Sequence, residues 1–316
     1  MLRVEDVDVE DRTYAVTPGW FALEKLRESI QTVGLLIPLR LETDAVRKLR
    51  LISGFRRLKA AQGLDIKEIP CIISSPKPPR EVFMEALWEN LACRSFTEVE
   101  KGVALNKLRN QFGSEESELI KEFLPLLELR PDRFHLERYL SIGELPEIIQ
   151  KAMILEGLST DIALGISRWR KQEQVLFIEL VARYQLGRNR QKGFFEMLRD
   201  LRKTLRTTAS TVWKQVGAEE IDKDSELSPQ DRLAGIHRLL RAQRYPNLTQ
   251  HEEKYRKLRN SLSLPSGTKL DVPPYFEGSR VSFTIDASSA GELRNLVRKS
   301  KDLLDRQELD EIFALL

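Results

Sequence analysis

Cysteine and histidine are nearly missing from this chain: two cysteines and three histidines stand among 316 residues. Cys71 and Cys93 are too few to staple a chain of this length with disulfides, and no Cys/His spacing matches a zinc site, so any metal has to be held by oxygen ligands. Long apolar runs are missing as well. No stretch approaches the roughly 20 apolar residues that cross a bilayer, and the opening "MLRVEDVDVEDRTY" is acidic where a secretory leader is basic and then apolar. The expectation is a soluble, cytoplasmic protein with no membrane partner. Internal repeats and low-complexity tracts do not occur. What is present is a hydrophobic content of 41%, enough for two or three domains with cores of their own. The net charge of +3 neither demands nor excludes an anionic partner, so its distribution matters more. Between 188 and 214 eight cations (Arg188, Arg190, Lys192, Arg199, Arg202, Lys203, Arg206, Lys214) face two acids, Glu196 and Asp200, a local excess of six. That stretch reads equally as a solvated helix face or as an anion-binding stripe.

The pattern divides the chain into an α/β beginning, a helical middle and a mixed end. The first 75 residues alternate short β-like runs with helical ones: "YAV", the helix "PGWFALEKLRESIQTVG", the strands "LIPLRLE" and "RKLRLIS", a helix over 55–62 and the strand "EIPCII". "SSPKPP" then punctuates the chain. From Arg80 to about Tyr255 nearly everything reads as helix, broken near Gly113, 128–132, 143–146, Gly157 and Gly187. Thr97 with Glu100 and Thr249 with Glu252 read as capping boxes, and Ser228 before Pro229 as an N-cap. The acidic, polar "AEEIDKDSELSPQ" reads as a mobile linker. After it come a helical pair, the β-like runs "TKLDV" and "RVSFTID", and a helix whose capping box is Ser289 with Glu292. The alternation of Val281, Phe283 and Ile285 predicts one buried face on the second of these strands. Phe194 and Phe195 read as core residues. The expected division is an N-terminal domain over 1–95, a helical domain over 96–216, a linker over 217–230 and a C-terminal module over 231–316. The fold class is α+β.

The stretch "RLISGFRRLKAAQGLDIKEIPCII" raises the question of function. Gly54 ends an apolar run and can adopt backbone angles closed to other residues, while the first N–H groups of the following helix carry partial positive charge. Arg56 and Arg57 add forked donors suited to phosphate oxygens. Taken alone, this is as consistent with one salt-bridged and one solvated arginine as with a phosphate seat. In "REVFMEALWENLACR", Val82, Phe83, Ala86, Leu87 and Leu91 fall at helical spacing toward the core. That leaves Glu85 and Glu89 on another face beside Asn90, with Arg94 one turn later. A carboxylate next to a carboxamide can hold a hydrated Mg²⁺ shared with a triphosphate, or can simply be an exposed helical end.

The order of these elements is similar to the N-terminal domain of the ParB family. "GLLIPLRL", "LISGFRRLKAAQGL", "EIPCII" and "WENLACRSFTEVEKG" stand where that family has a "QP" strand, "GERRxxAA", "IP" and "ENLxRxDLxPxE", in the same sequence and at similar intervals. The resemblance covers about residues 1–110 and continues more weakly beyond. It implies a small mixed α/β fold of the ParB/sulfiredoxin type, binding CTP with Mg²⁺. Gly54, Arg56 and Arg57 would hold the phosphates, Glu89 and Asn90 would serve nucleotide and metal, Arg94 would support the site, and Pro38 marks the strand near the nucleotide. One departure is plain. The family's glutamate between the glycine and the arginine pair is Phe55 here, and a phenyl ring can neither orient a water nor take a proton. Binding without CTP turnover, or with weak turnover, is the expectation.

The resemblance also implies a helix-turn-helix in the middle domain, whose second helix enters the major groove of double-stranded DNA. That helix is expected at about 132–142, with Arg130, Arg133, His135 and Arg138 as candidate contacts, and "LPEIIQKAMILEGLS" is similar to the family's "LPeevqellreGkLS". The longer turn "LLELRPDR" leaves a helical scaffold without sequence reading as an alternative. Arg188, Arg190 and Lys192 are a second candidate phosphate-facing set. The last hairpin and helix resemble in layout the ParB dimerisation module, or else cap the chain's own core. The function so implied is a homodimeric, CTP-dependent DNA clamp in plasmid or chromosome partition or nucleoid organisation, with a partition ATPase as a further partner. Two alternatives stand beside it. One is a metal-dependent nuclease; a sulfiredoxin-type reductase would need a cysteine where Phe55 and Arg56 stand. The other is an adaptor that keeps the scaffold without the nucleotide.

Overall fold

The computed structural model describes residues 1–21, 23–43, 49–301, 303 and 305–316. It divides into two compact units, Met1–Gln191 and Lys192–Leu316, the division falling inside the helix Arg188–Thr204. The sequence-read boundaries at 95 and 216 follow changes of composition, whereas these units follow packing.

The first unit opens with a four-stranded sheet in the order Val7–Asp8, Leu49–Ser53, Leu39–Thr43, Cys71–Ser74. Leu39–Thr43 runs antiparallel to Leu49–Ser53 and parallel to Cys71–Ser74, with Leu39 opposite Cys71. A separate pair joins Leu2–Arg3 to Glu68–Ile69. The predicted run "EIPCII" is thus split at Pro70, which has no N–H to give, although its carbonyl accepts the Leu39 N–H at 2.9 Å. The predicted strand "RKLRLIS" begins at Leu49 in the structure; its first two residues lie outside the described ones. Leu39, Leu41, Leu51, Leu58, Ala61 and Ile69 close the core, Leu39 and Leu41 with no exposed surface.

Three helices accompany this sheet: Glu24–Val33, which packs on the next helix; Phe55–Gln62; and Pro79–Cys93. The first starts six residues later than the sequence pattern predicts. Its lead-in is held as a loop because Arg12 donates to the Thr17 carbonyl and Lys59 to the Gly19 carbonyl, which satisfies those groups without a helical turn.

The helical part of the first unit starts at Glu98–Asn110, where the predicted capping box is complete: Thr97 accepts from the Glu100 N–H at 3.3 Å, and the Glu100 carboxylate accepts from the Thr97 N–H at 3.0 Å. A segment with a π-turn at Leu119–Phe123 follows, then a turn, then the helix Arg133–Gly143, capped by Asp132. Helices 98–110 and 133–143 cross at Gly102 and Gly143. A Cβ on Gly102 would lie 2.6 Å from the Tyr139 carbonyl oxygen and from the Gly143 nitrogen, so only glycine permits this approach. Helices Glu147–Leu155, Thr160–Ile166 and Lys171–Tyr184 complete the unit.

In the second unit the predicted linker is partly helix. Ala218–Lys223 forms a helix with Ala218 fully buried, and Ser228 caps Pro229–Arg244 as expected. Thr249 is not a cap. The next helix, Pro246–Ser261, starts at its proline, which places Thr249 in the first turns and frees Glu252 to pair with Arg241 at 2.5 Å. Phe194 is core, as predicted, while Phe195 is half-buried under the Arg199 guanidinium. Thr268–Asp271 pairs antiparallel with Ser282–Ile285, followed by Ala290–Lys301 and a short helix, Gln307–Phe313, that the pattern did not reveal. At Ala290–Lys301, the Glu292 N–H donates to Ser289 as predicted, but the Glu292 carboxylate turns to Ser288. The predicted buried face of Val281, Phe283 and Ile285 is open instead: Phe283 is 41% exposed. With Leu264, Leu270, Val297 and Phe313 these residues line an apolar groove of about 520 Å³.

Candidate functional site

Gly54 leaves the strand Leu49–Ser53 with φ +100° and opens the helix Phe55–Gln62. A Cβ there would lie 2.5 Å from Leu39 Cδ2, so the turn needs glycine twice over, for its backbone angle and for its neighbour. Immediately beyond it lies a cavity of about 300 Å³ lined by Gly54, Phe55, Arg56, Arg57, Glu89 and Asn90, with Tyr14, Thr17, Ile37 and Cys93. Five of the seven nucleotide-site residues expected from the sequence therefore meet at one place.

Arg57 is fixed from behind. Its Nη1 donates to the carbonyls of Ile37 and Pro38, both at 2.8 Å, and Nη2 lies 3.8 Å from Glu89 Oε1. Pro38 thus takes part through its backbone. Burial lowers the Arg57 pKa, and Glu89 opposes that shift. The Arg56 guanidinium lies over the Phe21 ring at 5.0 Å, and that of Arg12 over Phe55 at 5.6 Å.

Glu89 accepts from Ser53 Oγ at 2.8 Å and from Arg40 Nη1 at 3.2 Å. Arg40 also donates to Glu85 at 2.7 Å, and its pKa is raised, first by that bond. Hydrogen bonds from Lys77 and then Arg40 hold Glu85 below the usual carboxylate range. Asn90 turns its Nδ2 back onto the Ala86 carbonyl at 2.7 Å. This donor set does not fit a protein-built Mg²⁺ site. The one carboxylate in the cavity already has both oxygens engaged, Oε2 by Arg40 and Oε1 by Ser53 with Arg57 3.8 Å away, and among the described residues no cluster of three or more His, Cys, Asp or Glu side chains is arranged to hold a metal.

Arg94 is elsewhere. It donates to Glu100 at 2.6 and 2.8 Å and to Thr17 Oγ1 at 2.9 Å. Glu100 has no exposed surface and also accepts from Thr17 Oγ1 at 2.6 Å. Burial pushes the Glu100 pKa up, but the bonds from Arg94, Thr17 and Thr97 outweigh it and hold the group below its ordinary value. Arg94 therefore ties the sheet domain to the first helix of the helical part, through Thr17 in the cavity wall. Lys107 of the same helix adds bonds to the carbonyls of Arg12 and Thr13, and burial lowers its pKa to about 8.

Sequence reasoning missed Arg12, Thr17, Arg40, Ser53 and Lys59. Ser53 and Lys59 lie inside the quoted glycine–arginine stretch, where residue type alone did not single them out, whereas Arg12, Thr17 and Arg40 come from the lead-in loop and a neighbouring strand that only the fold brings near.

Arg130, in the turn before the helix Arg133–Gly143, and Arg133, at its start, are exposed. Arg133 pairs with Glu137 at 2.8 Å, His135 Nδ1 contacts the capping Asp132 at 2.8 Å, and Arg138 pairs with Asp161 at 2.7 Å. Arg138 and Arg188, chosen on separate grounds, line one cavity of about 670 Å³ together with Glu98 and Asp161. Arg190 is exposed, and so is Lys192, 4.0 Å from Glu196.

Residues 17–91 match the family model described as the ParB N-terminal domain. Curated relatives include a probable chromosome-partitioning protein ParB of Vibrio cholerae, 25% identical over 165 residues, covering 52% of this chain and 54% of that protein. The corresponding protein of Neisseria meningitidis is 32% identical over 92 residues, 29% of this chain and 32% of its own. A nucleoid occlusion protein of Bacillus cereus is 26% identical over 166 residues, 52% of this chain and 55% of its own. The chain spans about half the length, or less, of the curated relatives it matches. Among solved structures, C-terminally truncated ParB of Caulobacter crescentus complexed to the centromeric parS site aligns with TM-score 0.33 at 15% identity, over 62% of this chain and 97% of that one. The same protein complexed with CTP-gamma-S aligns with TM-score 0.24 at 18% identity, over 57% and 96%.

Proposed function

We propose, from the premise that this chain belongs to the ParB family through the domain at residues 17–91, that it is a DNA-binding protein whose N-terminal domain takes up CTP and thereby closes a homodimer around double-stranded DNA. The observation that carries the nucleotide part is the single cavity shared by Gly54, Arg56, Arg57, Glu89 and Asn90. Gly54 lets a phosphate approach the chain closely, the start of the following helix presents N–H groups to it, and the two guanidiniums supply charge-assisted donors. Arg57, held by two carbonyls, needs little ordering when the ligand arrives. The choice of cytidine follows the family. Any Mg²⁺ would be held chiefly by the triphosphate's own oxygens, since Glu89 is already held by Arg40 and Ser53.

Phe55 stands where the family's glutamate would be, so the chain binds CTP with little or no hydrolysis. Closure needs only differential affinity: CTP must bind the closed pair more tightly than the open one. The helix Arg133–Gly143 is the DNA-facing element, with Arg130 and Arg133 outermost and Arg138 with Arg188 beside them. Surface ion pairs such as Arg133–Glu137 are weak enough to be exchanged for phosphates. The open apolar groove at Val281, Phe283 and Ile285 is the dimerisation face. The setting is chromosome or plasmid partition or nucleoid organisation in the cytoplasm, with a partition ATPase as a further partner.

One set of observations favours a second reading. Arg133, His135 and Arg138 are all paired with acids, as they would be in an adaptor that no longer reads DNA. The discriminating experiment joins engineered cysteines across a pair of N-terminal domains, in a background with Cys71 and Cys93 replaced by serine, with and without CTP and DNA. CTP-dependent cross-linking that traps closed circular DNA supports the clamp. Equal yields in every condition contradict it.

A further inference from the structure

Glu85 and Glu89 stand four residues apart on the helix Pro79–Cys93 and so share a face. Two carboxylates at that spacing repel each other unless a cation lies between them. In sites built around a triphosphate that cation is commonly a divalent metal, held by one or two carboxylates and by phosphate oxygens. Here it is a side chain. Arg40, on the strand Leu39–Thr43, reaches both acids with one guanidinium: Nη2 donates to Glu85 Oε2 at 2.7 Å and Nη1 to Glu89 Oε2 at 3.2 Å. The strand register sets this up. Arg40 lies opposite Ser53 in the antiparallel pair, and both side chains bond to Glu89 from the same face of the sheet.

Each end of the bridge is closed as well. Lys77 donates to Glu85 Oε1, Ser53 Oγ donates to Glu89 Oε1 at 2.8 Å, and Arg57 Nη2 stands 3.8 Å from that same oxygen. Lys77, Glu85, Arg40, Glu89 and Arg57 therefore form a row in which cations alternate with acids and outnumber them. A network of this kind holds its geometry better than an isolated surface pair. A metal ion approaching Glu89 Oε2 meets a guanidinium on the same oxygen, and like charges that close repel. Asn90, the other expected metal ligand, has turned its Nδ2 to the Ala86 carbonyl and has only one neutral oxygen to offer.

We propose that the Arg40 guanidinium takes the place of a divalent cation between Glu85 and Glu89, so that this chain binds its nucleoside triphosphate without needing a metal. This rests on the nucleotide reading above and adds to it the identity of the charge that stands in for the metal. The same bridge engages both acids of that helix face, which leaves neither of them free to serve a metal-dependent nuclease.

The test is calorimetric titration of the full chain with CTP, once with Mg²⁺ and once with EDTA, for the native protein, Arg40→Gln and Arg40→Lys, together with binding of Mn²⁺ alone followed by electron paramagnetic resonance. The native chain is expected to bind CTP with affinities that agree within about threefold in the two conditions, and to leave Mn²⁺ free. Arg40→Gln, which releases Glu85 and Glu89, is expected to take up Mn²⁺ and to lose about tenfold or more in CTP affinity when Mg²⁺ is withdrawn. Arg40→Lys keeps the charge and is expected to behave as the native chain does. A native affinity that falls about tenfold or more in EDTA overturns the inference. So does an Arg40→Gln variant as indifferent to Mg²⁺ as the native chain. If Arg40→Gln does not fold, the two native titrations decide alone. If CTP binds in neither condition, the nucleotide reading fails and the Mn²⁺ measurement decides: native Mn²⁺ binding that is lost in Glu89→Gln overturns the cation role of Arg40, and its absence upholds it.

Discussion

Gly54→Ala is the sharpest single substitution at the residue scale. Alanine there has to hold φ near +100° and to share space with Leu39, so it costs about 1–3 kcal/mol of stability, more if the strand end cannot yield. Because the same turn carries Phe55, Arg56 and Arg57, the change also weakens nucleotide binding. Chemical denaturation with a parallel CTP titration checks both, and a variant as stable and as avid as the native chain would contradict the assigned role of the turn. At this scale the sequence was informative wherever residues are adjacent in the chain. Gly54, Arg56 and Arg57 are within four positions, and Glu89 with Asn90 are neighbours, so short-range pattern reached them. Arg40 and Ser53, which hold Glu89, come from two other strands, and only the antiparallel pairing that sets Arg40 opposite Ser53 brings them together.

Elements were legible in proportion to their local punctuation. The helix over 55–62 is bounded by glycines and the helix over 98–110 by a full capping box, and both stand where the pattern put them. Thr249 with Glu252 has the same capping signature but lost to Pro246, which starts the helix earlier. The alternation at 281–285 identified a strand with an apolar face but not whether anything covers that face. The tie between the sheet domain and the helical part, Thr17 with Glu100 and Arg94, was invisible because Thr17 is far in sequence from the other two. It has a testable pH signature. Glu100 titrates below its ordinary value in the fold, so its contribution is present above the unfolded value of about 4.3 and is lost as the pH falls through the folded one. Glu100→Gln therefore costs about 2 kcal/mol near neutral pH, and the gap from the native chain narrows below about pH 4. Thermal melts of both proteins between pH 3 and 8 measure this, and a gap that stays constant with pH would contradict it.

For the whole molecule, the fold class was readable because helix and strand periods alternate in the first domain and then stop alternating. Packing divides the chain into two compact units at Gln191, whereas composition places its boundaries at 95 and 216 and reads 217–230 as a linker, of which 218–223 is helical. The functional account is that a glycine turn, two arginines and a neighbouring helix form a seat for a nucleoside triphosphate, and that occupation of this seat closes the protein on DNA. The most direct measurement is a calorimetric titration of CTP, ATP, GTP and UTP into the native chain and into Arg57→Ala, with Mg²⁺ present. The account predicts saturable binding of CTP in preference to the other three, weakened about tenfold or more in the variant. Absence of binding by any nucleotide, or CTP binding indifferent to Arg57, would contradict it.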